Sequence, residues 1–165
     1  MKKIIAFFLL LTAMQYAFAQ KDSVQSPYLR FPVFPPVQLM LSDSTLFSKN
    51  DLGKNAAVIL MLFSPECDHC QHTTEELIKQ IDKFKKYEIV MATTLPFESM
   101  KAFRNKYALA NHSNIIVGHD RKYFLPVFYN IHSLPFFAFY NRKKELITVF
   151  EGTLSINRML EILTK

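Results

Sequence analysis

The two cysteines of this chain stand together in the motif Cys67-Asp68-His69-Cys70. A disulfide between them would close a very small loop and remove little entropy from the unfolded chain, so the pair is a poor structural cross-link. Zinc sites usually need a second pair of ligands at matched spacing. The remaining histidines are scattered without such spacing: His72, His112, His119 and His132. The motif therefore favours a dithiol that cycles between reduced and oxidised forms.

The residues around the motif predict a strand before it and a helix after it. Residues 57–63 form an unbroken apolar run of strand length, and residues 71–86 carry apolar side chains at helical spacing. The free N–H groups and the dipole at the start of a helix favour an anion in its first turn, here the thiolate of Cys67. We predict that Cys67 is the nucleophile and that Cys70, one turn further, is the resolving thiol.

His69 lies between the two cysteines and is predicted to tune them. A positively charged imidazole would stabilise the Cys67 thiolate and make the couple more oxidising, whereas the alternative is an ordinary solvent-facing helix residue. Glu66 and Asp68 act in the opposite direction, because nearby carboxylates disfavour a thiolate. Whether these neighbours together stabilise or destabilise the Cys67 thiolate stays open at this point.

The rest of the chain alternates between predicted strands and helices. The predicted strands are residues 88–95, 115–117, 136–140 and 146–150, and the predicted helices are residues 97–109, 122–129 and 156–163. The last two strands flank a polar turn, which predicts a hairpin, and Ser155 is placed to cap the final helix. Strands that alternate with helices and end in a hairpin predict an α/β sandwich around a mixed sheet.

Residues 1–19 are predicted to be a signal peptide. Lys2 and Lys3 precede an apolar run, and residues 17–19 show the small-x-small pattern that signal peptidase reads. The run is shorter than the roughly 20 residues that a membrane-spanning helix needs. Cleavage would leave Gln20 as the first residue of an exported protein with no stable membrane insertion after the signal is removed. We expect it in the periplasm of a bacterium, and secretion beyond the envelope is the alternative.

The charge of the chain argues against a nucleic-acid partner. The formal charge is +6, and removal of Lys2 and Lys3 with the signal peptide lowers it by two. The remaining basic residues are spread along the chain, where solvated helix faces and turns are expected. A nucleic-acid site would need a basic patch together with base-reading or stacking side chains.

Together these features resemble the thioredoxin-like proteins, and within them the periplasmic TlpA/ResA-like thiol-disulfide oxidoreductases. The resemblance rests on the strand, the CxxC motif and the helix, and on the sequence Ser133-Leu134-Pro135 that opens the final strand pair. It implies a three-layer α/β/α sandwich with a central mixed sheet. It also divides the chain into a signal peptide (1–19), an N-terminal extension (20–33) and a thioredoxin-like domain (34–165).

The same resemblance implies how the site works. Pro135 would follow a cis peptide bond and pack beside the disulfide, and Leu134 would offer its backbone to an extended substrate peptide. On backbone grounds alone a trans proline is also allowed at the first residue of a strand. The resemblance further implies no organic cofactor, partners that are protein thiols or disulfides in the cell envelope, and a redox partner that recharges the dithiol.

Two departures from the family pattern affect the expected activity. Thioredoxins usually carry a tryptophan just before the first cysteine, and this chain has none. Met61 stands where thioredoxin places a buried aspartate that relays a proton. Glu66 could replace that relay or simply be solvated; without a relay, Cys70 would lose its proton slowly.

Three other functions stay open at the level of sequence. A copper-binding or copper-delivery module of the same superfamily would use Cys67, Cys70 and a distal histidine such as His132, although its usual CxxxC spacing is absent. A peroxidase would need a proline where Leu60 stands. A non-catalytic interaction domain is the third.

Overall fold

The computed structural model describes residues 25–164, so the predicted signal peptide lies outside the described residues. The helices are α1 (Pro27–Arg30), α2 (Asp68–Lys79), α3 (Phe97–Lys106), α4 (Phe124–Tyr129) and α5 (Ile156–Leu163). The strands are β1 (Leu39–Leu41), β2 (Leu46–Phe47), β3 (Ala57–Leu62), β4 (Tyr87–Thr93), β5 (Ile115–His119), β6 (Phe136–Tyr140) and β7 (Leu146–Glu151). Three short 3₁₀ turns add Lys49–Asp51, Ile81–Phe84 and Leu109–Asn111.

All seven described strands form one mixed sheet in the order β2-β1-β5-β4-β3-β6-β7. Strand β3 lies near its centre, parallel to β4 and antiparallel to β6. Strands β4 and β5 are also parallel, so β3, β4 and β5 end at the same edge of the sheet. Because the CxxC motif follows β3, this edge carries the candidate site.

The sheet separates two apolar cores. Side chains alternate across a strand, so Met61 enters the first core while Leu60 and Leu62 enter the second. Helices α2, α3 and α5 cover the first core, and α4 covers the second together with the N-terminal residues Phe34 and Val37. The three-layer α/β/α sandwich with a central mixed sheet is therefore confirmed.

The N-terminal segment packs against the domain. The rings of Tyr28 in α1 and Tyr129 in α4 lie 5.6 Å apart. Val33 forms a β-bridge with Glu145, and the N–H of Phe34 donates to the carbonyl of Lys144 at 2.8 Å. These contacts join residues 27–34 to α4 and to the turn of the final hairpin.

The structure differs from the prediction at several element ends and in its short elements, and the largest difference is at α2. The single helix predicted to reach residue 86 is wrong: α2 ends at Lys79, and Gln80 (φ −121°, ψ 21°) leaves helical geometry before the 3₁₀ turn Ile81–Phe84. That turn buries Phe84 and lets the chain enter β4 at Tyr87. Strands β1 and β2 were not predicted, because segments of three and two residues are too short for periodicity to detect.

Lys144 is a buried cation in the turn between β6 and β7. Its Nζ donates to the carbonyl oxygens of Gly53 at 2.7 Å and of Ala56 at 2.6 Å. Burial lowers the pKa of Lys144 below its usual value, and the charge of Glu88 offsets only part of this effect. The Glu88 carboxylate in turn accepts from the N–H of Gly53 at 2.9 Å. Lys144 and Glu88 therefore hold the turn at residues 53–56, which leads into β3.

Candidate active site

Cys67 caps the N-terminus of α2. Its Sγ accepts a hydrogen bond from the N–H of Cys70 at 3.3 Å, in the manner of a capping side chain. The chain reaches this point through a turn in which the N–H of Cys67 donates to the carbonyl of Ser64 at 3.1 Å. Cys67 is partly exposed and both thiols are free. A sulfur in this position receives the electrostatic field of the helix N-terminus and remains open to a partner.

Cys70 is fully buried one turn into α2. Burial is the main cause that raises its pKa to about 12, and the hydrogen bond with Cys67 adds to it. At neutral pH Cys70 is therefore a protonated thiol. The two cysteines differ in access: Cys67 is partly exposed at the helix cap, and Cys70 is shielded behind it.

The loop before β6 faces Cys67 from the other side. The peptide bond between Leu134 and Pro135 is cis, as the family resemblance implies. The Cys67 Sγ lies 3.9 Å from the carbonyl oxygen of Leu134. Pro135 is buried and Leu134 is half-buried against both cores. The fold thus brings Cys67, Cys70, Leu134 and Pro135 into one site.

His69 and Glu66 flank the site and are both exposed. Among the described residues, neither side chain has a hydrogen-bond partner, so nothing fixes the imidazole or the carboxylate against either sulfur. Met61, which stands where thioredoxin places a proton-relaying aspartate, is buried in the first core. The tuning role of His69 and the relay role of Glu66 stay predictions.

Gln71 fixes the loop that precedes Cys67. Its Nε2 donates to the carbonyl oxygen of Pro65 at 2.8 Å. Its Oε1 accepts from the Nζ of Lys106 at 3.0 Å and from the hydroxyl of Tyr107 at 3.3 Å. The side chain thus links the Ser64–Glu66 turn to the end of α3. Sequence reasoning missed this residue, because a glutamine on a helix carries no signal of its partners.

Glu151 fixes the opposite loop. Its carboxylate accepts from the N–H of His132 at 3.2 Å and from the N–H and the hydroxyl of Ser133 at 3.1 and 3.0 Å. These residues immediately precede Leu134 and Pro135. A carboxylate at the end of β7 therefore positions the loop that faces Cys67, and its place at the end of a predicted strand gave no hint of that contact.

The histidine invoked for a copper site, His132, does not join the two thiols in a metal-ion cluster among the described residues. The Nε2 of His132 is 3.1 Å from the Nδ2 of Asn130. Within residues 25–164, no three histidine, cysteine or carboxylate side chains converge as a metal-ion site. The two thiols therefore have no third ligand of these types beside them in the described chain.

Comparison with solved structures shows which folds this chain resembles. The fold is similar to that of a secreted disulfide oxidoreductase of Mycobacterium tuberculosis homologous to DsbE of E. coli, with 18% identity, a TM-score of 0.65, and coverage of 78% of this chain and 95% of that one. It is also similar to an exposed lipoprotein thioredoxin of Streptococcus pneumoniae (22% identity, TM-score 0.59, 77% and 96% covered). A third similar structure is StoA of Bacillus subtilis (18% identity, TM-score 0.58, 79% and 100% covered).

No protein-family model matches the chain, and no curated protein matches its sequence. At these identities the similarity establishes the fold. The chain has the thioredoxin-like fold, with its CxxC motif between the central strand β3 and the helix α2.

Proposed function

We propose that this protein is a thiol-disulfide oxidoreductase whose Cys67–Cys70 dithiol exchanges with the thiols and disulfides of other proteins. One observation carries the proposal: an accessible Cys67 Sγ caps α2, with the buried Cys70 behind it and the Leu134 carbonyl 3.9 Å away. The similarity in fold to a secreted disulfide oxidoreductase of Mycobacterium tuberculosis supports it.

The exchange proceeds in two balanced steps. The Cys67 thiolate attacks one sulfur of a partner disulfide, so that a Cys67–partner bond forms and the second partner sulfur leaves as a thiolate. The Cys70 thiol then loses its proton and attacks Cys67, which forms the Cys67–Cys70 disulfide and releases the first partner sulfur. Two electrons pass to the partner, and the two partner thiolates gain protons from Cys70 and solvent. The reverse sequence oxidises a partner dithiol.

The second step is expected to be slow at neutral pH. Burial raises the pKa of Cys70 to about 12, and only the thiolate attacks. The buried carboxylate among the described residues is that of Asp120, which accepts from the N–H of Leu125 in α4, the helix over the second core, whereas Cys70 lies in the first core. The mixed disulfide between Cys67 and a partner is therefore expected to be long-lived.

The partner's backbone is expected to pair with the loop before β6. Leu134 presents its carbonyl beside Cys67, and Glu151 holds the two preceding residues. Export by a signal peptide ending at residue 19 would place these partners in the cell envelope, along with the redox protein that recharges the dithiol. Among the described residues, no helix has both the length and the apolar character needed to span a bilayer.

A trapping experiment tests the proposal. The variant Cys70→Ser removes the resolving thiol, so mixed disulfides through Cys67 should accumulate with envelope proteins and with a reduced test protein treated with oxidant. Cys67→Ser is the matched control and should trap nothing. If Cys70→Ser recovers no mixed disulfide while its Cys67 still reacts with a maleimide, the exchange function is wrong.

The direction of exchange is read from the equilibrium reduction potential of the couple in glutathione buffers, measured with and without a copper chelator. A value near or below about −250 mV would identify a reductant, and one near about −120 mV an oxidant. A couple that cycles only after the chelator is added would support the copper-binding alternative instead.

A further inference from the structure

An open pocket of about 350 Å³ lies between α2 and the start of α5. One wall belongs to α2 and consists of His72, Thr73, Glu76 and Gln80. The other wall is formed by residues 153–157, which lead into α5. Apart from Leu154 and Ile156, every lining residue has a polar side chain, so the pocket suits a polar ligand. We call it the α2–α5 pocket.

Both walls of the α2–α5 pocket begin at the candidate active site. On α2, Thr73 follows the buried Cys70 by one helical turn. The other wall follows the end of β7, where the N–H of Gly152 donates to the carbonyl of Pro135 at 2.8 Å, and Thr153 is the next residue. The pocket is therefore close enough to be reached by a neighbouring part of a partner that is bound at the site.

Thr73 contributes a buried hydroxyl group without a partner. The residue is 3% exposed, and its Oγ1 has no hydrogen-bond partner among the described residues. Thr74, by contrast, donates its hydroxyl to the carbonyl of Cys70 at 2.8 Å. Because a buried hydroxyl that makes no hydrogen bond costs free energy, a ligand that offers Thr73 an acceptor would be favoured.

The N-terminus of α5 adds free backbone donors. Ser155 caps the helix, and its side chain accepts from the N–H of Arg158 at 3.3 Å. The N–H groups of Ile156 and Asn157 have no partner among the described residues, and both residues line the pocket. The first turn of α5 contains no acidic residue. The free donors and the helix dipole therefore favour an anionic group in the pocket.

The charges of the lining select the kind of anion. Glu76 is the acidic residue among those that line the pocket, and its carboxylate accepts from the Nζ of Lys79 at 2.8 Å, so its charge is paired. Residues 152–160 contain no aspartate or glutamate. Among the described lining residues none is a lysine or an arginine, the side chains that usually bind phosphate. The pocket therefore suits a singly charged carboxylate better than a phosphate.

We propose that the α2–α5 pocket binds a carboxylate of the partner protein, carried by an aspartate or glutamate about three residues from the cysteine that reacts with Cys67. This inference rests on the proposed function. Thr73 is six residues after Cys67, about 9 Å along the helix, and an extended peptide covers that distance in about three residues. The carboxylate would accept from the Thr73 hydroxyl and from the N–H groups of Ile156 and Asn157.

Exchange rates with four peptides test this proposal. Each peptide has one cysteine, activated as a disulfide with 2-thiopyridine, and either glutamate or glutamine three residues before or after that cysteine. The protein is the chain that starts at Gln20 and carries Cys70→Ser, so thiopyridone release reports attack by Cys67 alone. At one of the two positions we expect the glutamate peptide to react about fivefold faster than the glutamine peptide, because charge-assisted hydrogen bonds hold it.

Variants of the pocket locate the carboxylate. Ser155→Asp keeps a good cap for α5 but adds a negative charge to the pocket, so it should abolish the preference for glutamate. Ser113→Asp adds the same charge at an exposed serine before β5 and should leave the preference unchanged. Thr73→Val removes the buried hydroxyl and should lower the preference to about twofold, and Thr73→Ser should restore it.

Amide chemical shifts separate this proposal from the exchange function. A peptide that carries the same glutamate but no cysteine should shift the N–H signals of Ile156 and Asn157, even in Cys67→Ser. If none of the activated peptides reacts with Cys67, the exchange function is wrong, and the shifts still test the pocket. If the peptides react but these two signals do not move, the pocket assignment alone is wrong.

Three further results would overturn the proposal. The first is equal reaction rates for the glutamate and glutamine peptides at both positions. The second is the same preference for glutamate in Ser155→Asp as in Ser113→Asp, which would place the carboxylate elsewhere. The third is a shift of the two amide signals with free glutarate as large as with the peptide at equal concentration, which would assign the pocket to small acids.

Discussion

The Sγ of Cys67 lies 3.9 Å from the carbonyl oxygen of Leu134, a residue 67 positions further along the chain. Cys67 follows the end of β3, whereas Leu134 precedes β6, and the two strands are antiparallel neighbours. A cysteine of a partner that reaches Cys67 therefore comes beside the Leu134 backbone. Two polar side chains, Gln71 and Glu151, hold the two halves of this arrangement.

Removal of the Glu151 carboxylate is expected to weaken partner recognition without changing the redox couple. In Glu151→Ala the N–H groups of His132 and Ser133 lose their acceptor, so the loop that presents Leu134 becomes less ordered. We expect kcat/KM with a peptide disulfide to fall about tenfold. The reduction potential should stay unchanged, because the hydrogen bonds of the Glu151 carboxylate go to His132 and Ser133 and not to either sulfur.

The control for this prediction is Glu161→Ala, which removes an exposed carboxylate of α5 and should leave both quantities unchanged. An equal fall in kcat/KM in the two variants, or a shift in potential in Glu151→Ala alone, would contradict the positioning role.

Loss of the Gln71 side chain is expected to slow attack by Cys67. In Gln71→Ala the Pro65 carbonyl and the end of α3 lose their link, and the turn that places Cys67 is freed. We expect the rate of reaction of Cys67 with a disulfide reagent to fall about threefold to tenfold. Measuring this rate by stopped flow in a protein that also carries Cys70→Ser isolates the attack by Cys67, because the second step cannot follow.

A conservative variant separates the two ends of that link. Gln71→Glu keeps an acceptor for Lys106 and Tyr107 but loses the donor to Pro65. If the Pro65 contact matters, Gln71→Glu should react as slowly as Gln71→Ala, whereas Glu75→Ala on the same helix should react like the parent. A fast Gln71→Glu would show that the contact with Pro65 is unimportant.

The reduced protein is expected to lose stability in alkali through Cys70. Its pKa is raised by burial from 9.0 to about 12, so the unfolded chain loses this proton first as pH rises. The contribution is fully present below pH 9 and is lost as pH rises toward about 12. Urea unfolding under reducing conditions at about pH 7 and pH 10.5 measures the change.

Cys70→Ala is the control, because it removes this contribution and retains that of Tyr129 and Tyr140, whose pKa values burial also raises. The parent should therefore lose more free energy of unfolding than Cys70→Ala over that pH interval. Equal losses would mean that the Cys70 thiol is not shielded from solvent in the folded protein.

Lys144 is expected to stabilise the fold away from the site. In Lys144→Ala the carbonyl groups of Gly53 and Ala56 lose a charged donor, which should lower the free energy of unfolding by about 2 kcal/mol. The neighbouring exposed Lys143→Ala should change it by less than about 0.5 kcal/mol. Chemical unfolding of both variants measures the difference. Equal free energies of unfolding in Lys144→Ala and Lys143→Ala would refute this assignment.

The main elements of the fold could be predicted because their patterns are local. The apolar run of β3, the hairpin strands and the Ser155 cap of α5 were all predicted, and Ser155 does accept from the N–H of Arg158 at 3.3 Å. Element ends were less accurate, since the end of α2 at Lys79 depends on how the chain returns to β4 rather than on the apolar spacing of residues 71–86.

The chemistry of the site could be predicted from neighbours in the chain: two cysteines one helical turn apart follow a buried strand and stand at a helix N-terminus. What surrounds these cysteines depends on how distant segments pack. The contacts of Leu134 with Cys67, of Gln71 with Lys106 and of Glu151 with Ser133 join segments that only the folded sheet brings together. Hydrogen bonds act over about 3 Å, so these partners could not be assigned until the fold had placed them.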